Sequence, residues 1–226
     1  MIPVIDMQDL GDVEADSHDN PYQEARAIWL ADPVFCSLKK LGHSLGVDRI
    51  VLAQRATLTA HDTHQGSYYF NLPLSKLQFD DWILPTRQKS MFRKLVLSGG
   101  AVIIVNVFTD DACEILSHEI GHHIVHVLAG LGFQEGWNTP TNMGRRDSRF
   151  DAYCLEINDE FFAESFRFYL TGEPMGRIDL RGILDRVRKN DSRAFNLLRN
   201  HRKRAVRAAY INAHSLNLNR DTSLAD

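Results

Sequence analysis

Residues 115–126 read ILSHEIGHHIVH, four histidines and one glutamate within about three helical turns. Within this stretch His118, Glu119 and His122 have the spacing H-E-x-x-H. Residues four apart on an α-helix are offset by only about 40° and about 6 Å, so two imidazoles can converge on one tetrahedral ion. Glu119 stands roughly 100° round from His118, beside such an ion and placed to take a proton from a water that the metal acidifies. The flanking residues Ile115, Leu116, Ile120, Ile124, Val125, Val127 and Leu128 are apolar, so the helix is expected to be largely buried. Buried ionisable groups are costly without a partner, and a metal supplies one.

The other two histidines do not extend the ligand set. His126 lies roughly 12 Å along the helix from His118, beyond the reach of metal–nitrogen bonds near 2 Å. His123 is turned roughly 140° away from His118. Both are expected to be structural or, in the case of His126, to support a ligand from behind. The pattern with a third histidine on the same segment is absent, because Val125 and Leu128 occupy the positions that need Gly and His. A third ligand must therefore come from downstream, where Asp147, Asp151, Glu156, Asp159, Glu160 and Glu164 are available. Glu160 and Glu164 stand four apart on a Phe-rich helix, so both carboxylates project from one face. The competing reading pairs them with Arg167 or with later arginines.

Three coincident features carry a family resemblance: HEIGHH, the segment EFFAESF starting 38 residues after His122, and Tyr153 seven residues before Glu160. In these the chain resembles zinc peptidases of the gluzincin type, most closely the catalytic domain of anthrax lethal factor and its relatives, the Pro-Pro endopeptidases. The resemblance covers roughly residues 100–172. It implies a zincin-like fold holding one Zn²⁺ ion, with His118, His122 and Glu160 as metal ligands and Glu119 as the catalytic base. It further implies that Tyr153 hydrogen-bonds the oxyanion and that Glu164 orients a histidine ligand from behind. The strand over 101–108 would then present an edge to an extended peptide, with Asn106 as its lone polar residue. The stretch CLEIND before Glu160 departs from the family pattern, so specificity does not transfer. A rival alignment resembles regulatory metallopeptidases that cleave phage-type repressors. It would make Glu156 the third ligand, because Glu156 stands six residues before Phe162-Ala163.

Elements must position these residues. NPYQEARAIWL predicts a helix with Asn20 as cap and Pro21 first, and DPVFCSLKKLG repeats that grammar and is expected to close at Gly42. RIVLAQRATLTA and GSYYFNL read as strands separated by the polar turn HDTHQG. RQKSMFRKLVL predicts a helix ending at Gly99-Gly100, and AVIIVNVF the best strand in the chain. The histidine helix is expected over about 112–129, with Asp111 and Glu114 in a capping-box arrangement. Residues 130–152 read as loop, 159–170 as helix, and one or two basic helices follow. The order is α+β: a small sheet packed on the active-site helix, with a helical C-terminal part.

Composition bounds the partners. The 226 residues suffice for a single catalytic domain over 21–226, with the motif-bearing core at 100–172 and a basic helical part at 173–215. Residues 1–20 form an acidic arm with six carboxylates and no Lys or Arg. Arg177 to Arg207 hold eleven basic residues against Asp179, Asp185 and Asp191. Three cysteines without a CxxC pair suit a reducing compartment, and neither a signal peptide nor a membrane span is visible, so the cytoplasm is the expected location. The expected function is a zinc-dependent endopeptidase acting on a protein or peptide substrate. The competing class is a non-catalytic, zinc-stapled nucleic-acid-binding module, against which Glu119 argues because a structural zinc site has no use for a carboxylate beside the metal.

Overall fold

The computed structural model describes residues 21–56, 65–72, 77, 79–131, 158–176 and 178–222. The acidic arm, the Asn20 cap, Asp147, Asp151, Tyr153 and Glu156 lie outside the described residues. The architecture is mixed α+β, with seven α-helices and a four-stranded sheet among the described residues. None of these helices is long and apolar enough to cross a membrane.

Helices α1 (Pro21–Ala31) and α2 (Pro33–Ser44) meet at Asp32, whose carboxylate accepts the Phe35 N–H at 2.7 Å and caps α2. Contrary to expectation, α2 does not stop at Gly42. It runs two residues further, to Ser44, with Leu45 as its cap, and Gly42 lies inside it, where a Cβ would stand 2.7 Å from Ile50. That glycine serves close packing, while Gly46, at φ 103°, makes the turn.

The sheet contains β1 (Arg49–Arg55), β2 (Gly66–Tyr69), β3 (Trp82–Ile83) and β4 (Val102–Asn106) in the order β2-β4-β1-β3. Strands β1 and β4 are parallel, joined through α3 (Thr86–Leu97), while β2 and β3 run antiparallel to their neighbours. Here the expectation for residues 101–108 fails. β4 is paired on both sides and offers no edge, and among the described residues the strand that ends the sheet on the side of the histidine helix is β2. The physical reason is legible in the side chains of β4. Ile103 and Val105 join one hydrophobic core and Val102 and Ile104 the other, the two-sided burial of an interior strand. Nor does Asn106 face a cleft. It is fully buried, donates Nδ2–H to Gln65 Oε1 at 2.6 Å and accepts the Phe108 N–H, pinning the entry to β2.

The histidine helix α4 (Ala112–His123) is capped by Asp111, which accepts the Glu114 N–H at 2.9 Å. It continues into a π-helical turn, Ile124–Leu128, closed by the Ala129 N–H on Ile124 O. Against α4 packs α5 (Asn158–Thr171), ended by Gly172 at φ 90°. Two basic helices follow, α6 (Arg181–Asn190) and α7 (Ser192–Thr222), with Asp191 capping the second through the Ala194 N–H.

Part of the C-terminal positive charge is spent inside the fold. Arg202 on α7 donates from Nη1 to the carbonyls of Phe168 and Tyr169 at 2.7 and 2.9 Å, and from Nη2 to Glu173 O at 2.7 Å. These are the open carbonyls at the end of α5, where a cation also suits the helix dipole. Nε2–H of buried His201 serves Leu170 O in the same way. Arg202→Ala should therefore cost about 2–3 kcal/mol, the scale of lost hydrogen bonds from a charged donor, and lower Tm by roughly 5–10 °C. Thermal unfolding of wild type, Arg202→Ala and Arg202→Lys checks this, with lysine recovering part of the loss because it lacks the second branch of the guanidinium fork.

Candidate metal centre

The close crossing of α4 and α5 builds the site. Gly121 makes it possible: a Cβ there would lie 2.6 Å from Ala163 O and 2.8 Å from Ala163 Cα, so the two backbones touch. The helices run antiparallel, and each histidine of one α4 face meets a carboxylate of α5. His118 Nε2 lies 3.1 Å from Glu160 Oε2, and His122 Nε2 lies 3.6 Å from Glu160 Oε1. Two ligand atoms at about 2.0–2.1 Å from a tetrahedral ion stand roughly 3.3–3.4 Å apart, so the three donors are spaced for one ion. His118, His122 and Glu160 thus form a partly buried donor set positioned to hold a metal.

The outer nitrogens are engaged as well. His118 Nδ1–H donates to Glu164 Oε2 at 3.0 Å, and Glu164 Oε1 accepts from Arg167 Nε at 2.7 Å. Glu164 therefore fills both roles weighed for it, supporting a histidine and pairing with Arg167, because its two oxygens point opposite ways. Arg167 also reaches Glu114 and Glu173 at 3.1 and 3.0 Å. Behind His122 the partner is Asp159, with Oδ2 3.3 Å from Nδ1. Carboxylates behind ligating imidazoles fix ring orientation and tautomer. Asp159 had figured among the candidate ligands, but its role behind His122 was missed. The signal for it was faint: a second histidine pair, His122 and His126, again spaced by four. His126 Nε2 lies 2.7 Å from Asp159 Oδ1, so His126 does stand behind the ligand shell.

His123 belongs to the frame. Its Nε2–H donates to Leu45 O at 3.0 Å, which leaves Nδ1 to accept the Tyr68 hydroxyl at 3.1 Å. It ties α2 and β2 to α4, and the Tyr68 ring lies parallel to those of His122 and His126 at 6.2 Å. Tyr68 was not anticipated from the sequence. Burial, with the nearby Asp159 and Glu119 carboxylates, pushes its hydroxyl pKa well up, so it stays protonated. Glu119 is buried, and its carboxylate abuts β2 at Gly66, where an added Cβ would come within 2.5 Å of Oε1. The candidate base thus lies between the donor set and the end strand of the sheet.

Electrostatics distinguishes protons from metal. Burial by itself would depress the His118 pKa, but the Glu160 and Glu164 carboxylates override it and hold it up at about 9. His122 is raised in the same way, against burial, by Asp159 and Glu160. Burial would raise Glu160, yet the two imidazoles hold its carboxyl well below the usual range. With no metal bound, both imidazoles therefore carry protons at pH 7, and a metal must expel them. We expect binding of a divalent metal at pH 7 to release about two protons, and affinity to climb with pH until His118 deprotonates near 9. Calorimetry in buffers of different ionisation enthalpy measures this release. For the metal-free fold the sign is opposite. The raised His118 pKa contributes stability that is complete below 6.5 and lost as pH rises through about 9.

Compared with protein-family models, curated proteins and solved structures, the chain matches none. The functional reading therefore rests on the geometry of this site and on the motif resemblance.

Proposed function

We propose that the protein is a zinc-dependent endopeptidase of the zincin-like class. One observation carries the reading. Nε2 of His118 and Nε2 of His122 converge on the Glu160 carboxylate at 3.1 and 3.6 Å, with Glu119 on the adjacent position of the same buried helix. Among the described residues the donors are two imidazoles and one carboxylate, and three protein ligands leave a fourth tetrahedral position open, as in catalytic rather than structural zinc sites. Zinc in such a site acidifies a water and polarises a carbonyl.

The chain's own residues supply the rest. Glu119 takes the proton of the attacking water and delivers it to the departing amine. Glu164 and Asp159 keep the Nε2 lone pairs of His118 and His122 directed inward by holding their Nδ1 sides. Tyr153, by the resemblance, donates a hydrogen bond to the oxyanion. Among the described residues β2 ends the sheet next to Glu119, so an extended substrate pairs along it rather than along β4. Gly66, without a side chain, leaves the Glu119 carboxylate room at that edge.

Peptide-library cleavage with the zinc-loaded protein, repeated after chelation and after zinc is restored, tests the proposal. Cleavage lost on chelation and recovered with zinc is expected. A zinc-loaded protein that cleaves nothing in the library, or cleavage that persists after metal removal, would overturn it.

A further inference from the structure

We infer that the protein binds a second divalent cation behind His122, held by His122 Nδ1, His126 Nε2 and Asp159, with the His122 imidazole bridging the two ions. This rests on the metal reading of His118, His122 and Glu160, and adds His126, Asp159 and the outer nitrogen of His122, none of which that site uses to bind its ion.

Three observations support it. First, His122, His126 and Asp159 each offer a ligand atom, and these atoms lie within 4.8 Å of one another. Asp159 faces both rings, with Oδ2 3.3 Å from His122 Nδ1 and Oδ1 2.7 Å from His126 Nε2. The two imidazoles are buried and their planes are parallel within 7° at 6.0 Å, so neither ring must turn to present its nitrogen to the carboxylate. Second, Asp159 Oδ1 is buried and lies 2.7 Å from His126 Nε2, so a cation entering there meets a carboxylate oxygen and an imidazole nitrogen already side by side and shielded from solvent.

Third, the charge favours it. Around His118 and His122 stand the carboxylates of Glu119, Asp159, Glu160 and Glu164, with the Arg167 guanidinium on Glu164 as the cation. A second dication therefore enters a carboxylate-rich, partly buried group; His122 becomes a bridging imidazolate, and its Nδ1 proton passes to solvent as the ion enters. The donors, two imidazoles and a carboxylate, select zinc or a neighbouring transition metal over calcium or magnesium.

Equilibrium dialysis against Zn²⁺ followed by elemental analysis tests the inference. Wild type should saturate at two ions per chain. His126→Gln should saturate at one. The copper-loaded protein adds a structural readout, because exchange through an imidazolate bridge should diminish the EPR signal as the second equivalent binds, and should not do so in His126→Gln. One ion per chain in wild type overturns the second site while leaving the peptidase reading intact. Two ions in both proteins place the extra ion elsewhere and overturn it too. No bound zinc at all would sink both readings.

Discussion

Glu119→Gln is expected to lower peptide turnover by about 10²–10⁴-fold while the protein keeps its zinc. The amide has nearly the same shape as the carboxylate and cannot take a proton from water, so the change removes the base and little else. Glu119 is not among the three donors that converge on the site, and its carboxylate lies toward Gly66 on β2. Metal content should therefore be unaffected. Turnover of a peptide substrate and zinc content, measured on the same preparation, separate the outcomes. Unchanged turnover would remove Glu119 from the mechanism. Turnover lost together with zinc would make it a ligand or a structural support rather than a base.

Gly121→Ala is expected to destabilise the fold by about 1–3 kcal/mol and to weaken zinc binding by at least about 10–100-fold. On an ordinary helix this substitution stabilises, by about 1 kcal/mol. Here the added Cβ would meet the backbone of Ala163, with O at 2.6 Å and Cα at 2.8 Å, and backbone cannot turn aside as a flexible side chain can. The helices must separate by about 1 Å to restore van der Waals contact. Glu160 and Glu164 then move away from His118 and His122, whereas coordination tolerates only about 0.2 Å. The sign of the stability change is itself diagnostic. Thermal unfolding and competitive zinc titration check the pair, and a variant that is more stable with full zinc affinity would show that α4 and α5 do not depend on this contact.

Much of the site was legible in the chain because its chemistry is periodic. His118 and His122, and Glu160 and Glu164, each stand one helical turn apart, so any helix that forms there places each pair on one face. Helix ends were legible for a similar reason. Asp32 with Pro33, and Asp111 with Glu114, satisfy backbone groups within their own first turn, and the structure has both caps. The apolar run within 101–108 announced burial, and no residue of β4 is exposed to solvent, although Phe108 just beyond it is.

Other features depended on partners far away in the chain. Burial on both faces says that a strand lies inside a sheet, but the choice of neighbours is made by pairing across tens of residues. That is why β4 became an interior strand and β2 the end strand beside Glu119. Asp159 carries no local mark that separates it from other acidic residues. Only the antiparallel register of α5 on α4, set by the Gly121–Ala163 contact, brings it to His122 and His126. Arg202 reads as one charge in a basic run, and its role is decided by the open carbonyls at the end of α5. Local spacing determines which side chains share a helix face, because it acts within one turn of backbone. Which faces meet, and how closely, is decided by packing between segments distant in sequence, and the site exists where two such faces touch.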